Sequence, residues 1–248
     1  MTDHYKGKSA LAHVAERKAQ GILSFAETHG TEIPGHIHAF ADTLRGSSLL
    51  FLLHWMLLRE AGASGARMWA FILIFFCGWL LWNAGRSAWL GFSRLERMHR
   101  IVEQERNEIK THRSQEREEL AELYRAKGLE GKLLEDVIDV FMADDERLLQ
   151  IMVDEELCLN LGTHVHPLQQ GVGAALGVFV AGGLALLCGT IFPEIGIYLS
   201  TLLGMGGGAA ISSYYEKNQM IPAVVWSVGL GAVSSGTVYF LLQAFHAY

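Results

Sequence analysis

Four glutamates and one histidine recur at helical intervals in the middle of the chain. They are Glu105, Glu108, His112, Glu116 and Glu119, at positions i, i+3, i+7, i+11 and i+14. On a helix of about 3.6 residues per turn, these positions lie within an arc of about 80°. Stacked carboxylates repel one another, and a bound cation would remove that repulsion. Oxygen ligands suit Mg²⁺, Ca²⁺, Mn²⁺ and Fe²⁺, and an imidazole extends the choice toward the transition metals. The pattern therefore predicts a divalent-metal site.

The same pattern is also typical of a solvated helix surface. Basic residues alternate with the glutamates and could neutralise part of their charge: Arg106, Lys110, Arg113 and Arg117. Helix faces with interleaved charges of both signs are common without a metal. The spacing alone leaves both interpretations open.

A second cluster follows on another predicted helix. Met152, Glu155 and Glu156 stand at positions i, i+3 and i+4. A thioether beside carboxylates is unusual for Ca²⁺ or Mg²⁺ and acceptable for Fe²⁺. A methionine at helical spacing is also a common core residue. The second cluster is therefore a hypothesis for Fe²⁺ ligands, with core packing as its alternative.

Together the two clusters resemble a known domain. The matching pattern is Glu105-x-x-Glu108, Glu116-x-x-Glu119-Leu120, Leu123-Tyr124-x-x-x-Gly128-Leu129 and Met152-x-x-Glu155-Glu156-Leu157. It is similar to the cytoplasmic metal-binding domain of the vacuolar iron transporter family. The resemblance is specific from about residue 94 to residue 157 and continues more weakly to the C-terminus. It is poor before Asn83.

The resemblance implies a fold and a function. The expected fold is an all-α membrane protein with five transmembrane helices and a cytosolic three-helix acidic metal-binding domain inserted between spans two and three. The expected function is export of Fe²⁺ or Mn²⁺ from the cytosol in exchange for protons, by a homodimer in the lipid bilayer.

Composition agrees with a membrane protein. Half of the residues are hydrophobic and the mean hydropathy is +0.22, which is too apolar for an ordinary soluble domain. Residues 92–166 hold 18 acidic residues against 11 Lys and Arg, so the acidity belongs to one segment and a basic nucleic-acid surface is not expected.

Three isolated cysteines form no zinc signature. Because no covalent catalytic arrangement and no phosphate-binding loop is visible, we expect neither an enzyme nor a cofactor other than the metal.

Hydropathy and helix breakers divide the chain into four parts. Residues 1–40 are an amphipathic, cytosolic segment, and residues 41–92 hold spans one and two. Residues 93–166 are the metal-binding domain, and residues 167–248 hold spans three to five. Since no helix breaker precedes Gly128, the second span is expected to continue as one helix to about Lys127. The excess of Lys and Arg places the N-terminus and the inserted domain in the cytosol.

Polar residues within the first two spans are candidates for a transport path. They are Asp42, His54 and Asn83, because ionisable or polar side chains inside a span are rare and usually functional. The family's Asp-Gly pair in span one and its glutamate in span two are absent here.

Three functions compete: a divergent transporter that uses other ligands, a membrane-bound metal sensor or buffer without transport, and a structural protein whose insert assembles dimers.

Overall fold

The structure is a computed structural model that describes residues 34–155 and 166–246. These residues form eight helices and no strand: α1 (Gly35–Glu60), α2 (Gly65–Thr111), α3 (Arg113–Ala126), α4 (Gly131–Met142), α5 (Asp145–Glu155), α6 (Pro167–Ile191), α7 (Gly196–Tyr215) and α8 (Met220–His246). The all-α prediction is confirmed for this part of the chain. Residues 1–33 of the predicted N-terminal segment and Glu156 lie outside the described residues, and residues 35–40 of that segment belong to α1.

Three helices are long and apolar enough to cross a membrane, judged by length and composition. They are α2, α6 and α8. Helices α1 and α7, which the sequence predicts as spans one and four, have 26 and 20 residues but are not among the three. The structure therefore supports a helical membrane protein, and the count of five spans stays a prediction.

The described residues divide into two compact units. One contains residues 34–93 and 166–246, and the other contains residues 94–155. Helix α2 supplies residues to both units.

In the first unit, α1 packs mainly against α6 and α7, and α8 packs on α7. Glycines permit the close approach, because a Cβ at Gly177 would collide with Thr43 and one at Gly204 with Ser48. One apolar core of this unit contains Leu44, Phe51, Val178 and Ala181, with aromatic side chains of α2 packed against it. Small residues thus position α1 between α6 and α7.

Hydroxyl groups also join the helices of this unit. Thr43 Oγ1 donates a hydrogen bond to the carbonyl of Ala174 at 2.9 Å, and Thr201 Oγ1 donates one to the carbonyl of Ser48 at 3.1 Å. Trp79 Nε1 of α2 donates to Ser47 Oγ at 3.0 Å. Buried polar groups need such partners, and these bonds connect α1 to α6, α7 and α2.

The second unit has its own apolar core. The core residues come from the end of α2 and from α3, α4 and α5: Met98, Ile109, Leu120, Leu123, Leu134, Ile138, Leu148, Leu149, Met152 and Val153. Residues Gly128 and Gly131 flank the turn between α3 and α4, with positive φ angles of 92° and 59°. The predicted helix end at this turn is confirmed, since glycine adopts the left-handed region without strain.

The prediction of one helix continuing to Lys127 is wrong. Helix α2 ends at Thr111 and α3 begins at Arg113, with His112 between them at φ −128° and ψ 35°. On a straight helix, Leu120 would lie about 33 Å along the axis from Met98. The break instead allows both side chains to be buried in the same core. Burial of apolar side chains favours this arrangement over helix continuity.

Candidate metal centre

Three of the predicted ligands come together beside the helix break. One carboxylate oxygen from each of Glu105, Glu108 and Glu116 lies within 4.8 Å of the other two. The first two glutamates belong to α2 and the third to α3. An ion placed among these oxygens would be bound from two helices at once.

The break creates this geometry. On a straight helix, eleven residues separate Glu105 from Glu116 by about 16 Å along the axis, too far to share an ion. His112 is hydrogen-bonded to both helices: its N–H donates to the Glu108 carbonyl of α2 at 2.8 Å, and its carbonyl accepts from Gln115 N–H of α3 at 2.8 Å. The spacing selected residues that the structure brings together, but their predicted arrangement along one helix face is wrong.

The glutamates are withdrawn from solvent. Glu105, Glu116 and Glu119 each expose 1% of their surface, and Glu108 is half-buried. Burying a carboxylate is costly unless positive charge or hydrogen bonds compensate for it. A divalent cation would compensate for three carboxylates together, which makes the cluster chemically suited to one.

The neighbouring arginines form ion pairs with other acids. Arg106 lies 3.1 Å from Glu103 and 3.4 Å from Glu146. The other two pairs join Arg113 to Asp145 at 2.5 Å and Arg117 to Asp139 at 2.6 Å. None of these four acids belongs to the predicted stripe: Glu103 precedes it on α2, Asp139 lies on α4, and Asp145 and Glu146 begin α5. The sequence reasoning considered these arginines only as partners for the glutamate stripe and did not find these pairs.

The remaining predicted ligands on α2 and α3 lie outside the three-residue cluster. His112 stands at the break, with Nδ1 2.7 Å from Thr111 Oγ1. Glu119 follows Glu116 by one helical turn on α3. Both are close to the cluster in sequence, and their participation in metal binding stays a prediction.

The second predicted cluster has a different environment. Met152 is fully buried within the apolar core, which is the alternative that its spacing left open. Glu155 forms an ion pair with Lys127. Burial, and then the charge of Glu155, raises the pKa of the Tyr124 phenol. Residues of α5 thus pack against the end of α3, and neither Met152 nor Glu155 belongs to the group formed by Glu105, Glu108 and Glu116.

The candidate path residues lie in the other unit. Asp42 is exposed and pairs with Arg45 at 3.7 Å. His54 is half-buried and stacks on Phe75 with ring centroids 4.5 Å apart. Asn83 is buried, and its Nδ2 donates to the Trp79 carbonyl at 2.8 Å. Within residues 34–155 and 166–246, only Glu105, Glu108 and Glu116 form a group of three side chains that could hold a metal ion.

The fold and the site describe a helical membrane protein with a carboxylate cluster suited to a divalent cation. A family model places this chain more narrowly: the model of the VIT family matches residues 91–243, and the chain belongs to that family. The resemblance to vacuolar iron transporters is thereby confirmed. No curated protein matches the chain.

The family model matches the predicted metal ligands of the cluster but not the predicted path residues. The match includes all three glutamates of the cluster and begins after Asp42, His54 and Asn83. Family membership and the apolar helices indicate an integral membrane protein concerned with metal-ion transport.

Proposed function

We propose that the protein transports Fe²⁺ or Mn²⁺ out of the cytosol, and that Glu105, Glu108 and Glu116 capture the metal. The observation that carries this proposal is the convergence of three carboxylates from two helices, within 4.8 Å, in a member of the VIT family. The metal is the cargo, so the cluster must bind it reversibly. A site assembled across a helix break can change when one helix moves, which would permit release.

The donor set supports this choice of cargo. Carboxylate oxygens are hard ligands that suit Mn²⁺ and Fe²⁺ as well as Mg²⁺ and Ca²⁺. His112 beside the cluster would shift the preference toward the transition metals, and Glu119 could complete the coordination. Met152, Glu155 and Glu156 are proposed as a second group of ligands near the end of α5.

We propose five spans and a homodimer in the bilayer. At a rise of about 1.5 Å per residue, α1 would extend about 39 Å and α7 about 30 Å, which suffices for a hydrocarbon core of about 30 Å. Lipid would cover the exposed apolar side chains of α2, α6 and α8. In this arrangement residues 93–166 and the N-terminal segment are cytosolic, as the distribution of Lys and Arg favours.

The proposed path uses polar residues of the first two spans. Asp42, His54 and Asn83 offer an oxygen, a nitrogen and an amide oxygen to a cation. Asp42 is paired with Arg45, so a metal would have to displace that guanidinium. Proton exchange would supply the driving force. Movement of the metal ion into a compartment at lower pH can be coupled to protons that leave that compartment in the opposite direction.

A membrane-bound metal sensor or buffer is the second candidate. The buried polar side chains described in residues 34–93 and 166–246 are hydroxyls and one amide: Thr43, Ser47, Ser48, Asn83, Ser87, Ser200, Thr201, Ser212 and Ser213. A cation path through hydrocarbon usually requires compensating charge. A protein without such a path could still bind metal at the glutamate cluster.

Uptake into proteoliposomes separates the two candidates. The purified protein is reconstituted, and entry of Mn²⁺ is followed with an internal fluorescent indicator, with and without a pH gradient. Transport predicts uptake above that of protein-free vesicles, and proton exchange predicts faster uptake when the lumen is acidic. Binding of Mn²⁺ without any uptake would favour the sensor.

A further inference from the structure

We propose that Arg113 is a positioning residue for the metal site, fixing the direction in which α3 leaves the helix break. This inference rests on the proposed function, because it assumes that the glutamate cluster binds metal. Arg113 is the first residue of α3 and directly follows His112. It belongs to none of the metal-ligand positions that the sequence predicts.

The contacts of Arg113 reach a different part of the same unit. Its Nη1 donates to Asp145 Oδ1 at 2.5 Å, and its Nη2 donates to the Met142 carbonyl at 2.5 Å. Met142 is the last residue of α4 and Asp145 the first of α5. One guanidinium therefore holds both sides of the α4–α5 connection. The planar fork of arginine fits two acceptors in this way, which a lysine cannot reproduce.

The position of Glu116 depends on this attachment. Glu116 follows Arg113 by three residues, which is less than one turn and about 4.5 Å along the axis. His112 has non-helical backbone angles, so α2 does not impose the direction of α3 through helix continuity. Contacts from other helices must set that direction. The contacts of Arg113 act closest to the break. A small rotation of α3 at this point would move the Glu116 carboxylate away from Glu105 and Glu108.

Two further ion pairs support the arrangement at a greater distance from the break. Arg117 on α3 pairs with Asp139 on α4, and Arg106 on α2 pairs with Glu146 on α5. All of these pairs are partly exposed, so each alone contributes modestly to stability. Arg113 differs because it combines a charged pair with a bond to a backbone carbonyl. Its removal should therefore affect the shape of the site more than the stability of the unit.

The test compares Mn²⁺ binding to the full-length protein in detergent by isothermal titration calorimetry. Arg113→Gln is expected to weaken Mn²⁺ affinity about five- to tenfold without changing the stoichiometry. The matched control is Arg125→Gln, because the ion pair of Arg125 is with Glu122, three residues earlier on the same helix. The control is expected to stay within about twofold of the wild type. Arg113→Lys should give an intermediate affinity, since it keeps the charge and loses the fork.

Circular dichroism and the melting temperature without metal separate positioning from unfolding. Arg113→Gln should keep the wild-type helix content and melt within a few degrees of Arg125→Gln. Affinity of Arg113→Gln within twofold of the wild type would overturn the role of Arg113. An Arg113→Lys variant that binds Mn²⁺ as tightly as the wild type would also contradict it, because a lysine lacks the fork. If the wild type itself binds no Mn²⁺, the proposed function fails, and this inference fails with it for that distinct reason.

Discussion

Glu105 and Glu116 are eleven residues apart in the sequence, yet a carboxylate oxygen of one lies within 4.8 Å of a carboxylate oxygen of the other. Their proximity depends on the break at His112, which divides the charged segment into α2 and α3. Both side chains are 1% exposed. Metal binding by a buried pair of this kind would be coupled to the folding of the unit.

The first prediction concerns affinity. Glu105→Gln and Glu116→Gln each remove one charged ligand while they keep the side-chain volume, and each should weaken Mn²⁺ binding at least about tenfold. Calorimetric titration measures the change. Glu135→Gln is the control, because Glu135 is exposed on α4 and outside the cluster. Equal heats and affinities for the wild type and both cluster variants would remove these residues from the site.

The second prediction concerns stability with and without metal. A metal that binds only the folded protein stabilises it by about 2.7 kcal/mol at one hundred times its dissociation constant. Mn²⁺ should therefore raise the melting temperature of the wild type, and a chelator should reverse the increase. The Glu105→Gln/Glu116→Gln double variant should show little response to Mn²⁺. A double variant that responds as strongly as the wild type would place the metal elsewhere.

The third prediction tests the packing produced by the break. Leu120 is fully buried in the core that contains Met98, so Leu120→Ala should destabilise the protein by about 2–5 kcal/mol. Leu133 is 63% exposed, and Leu133→Ala should change stability by less than about 0.5 kcal/mol. Denaturant unfolding of the full-length protein compares the two. Similar, small effects would indicate that α3 does not pack against the end of α2.

The fourth prediction concerns the path. Asp42→Asn and His54→Ala should each lower the maximal rate of Mn²⁺ uptake and leave the affinity measured at the glutamate cluster unchanged. The reason is that the proposed function assigns capture and passage to different residues. Rate measurements in proteoliposomes and calorimetry on the same preparations provide both values. An Asp42→Asn/His54→Ala double variant with the wild-type rate would exclude these residues from the path.

Sequence spacing was sufficient to select Glu105, Glu108 and Glu116 as candidates, because acidic residues at helical intervals are visible in the sequence even when the helix is interrupted. The turn between Gly128 and Gly131 was predictable for a local reason, since both glycines have positive φ. The break at His112 was not predictable in this way. Thr111 and His112 are only moderately poor helix formers, and what ends the helix is the burial of Leu120 and Leu123 in a core with residues distant in sequence.

The ion-pair partners of the arginines also could not be predicted from the sequence. Arg113 and Asp145 are 32 residues apart, and no periodic pattern relates them. Their pairing follows from the way α4 and α5 fold back onto α3, which depends on the whole apolar core of the unit. Local patterns therefore select candidate residues, and long-range packing decides how those residues are placed.

The concentration dependence of Mn²⁺ uptake into proteoliposomes tests the central claim most directly, with the wild type and the Glu105→Gln/Glu116→Gln variant measured side by side. We expect saturable uptake by the wild type. For the variant we expect a half-saturating Mn²⁺ concentration at least about tenfold higher, with a similar maximal rate, because the cluster captures metal and does not form the path. Identical saturation curves for the two proteins, or wild-type uptake no greater than that of protein-free vesicles, would contradict the account.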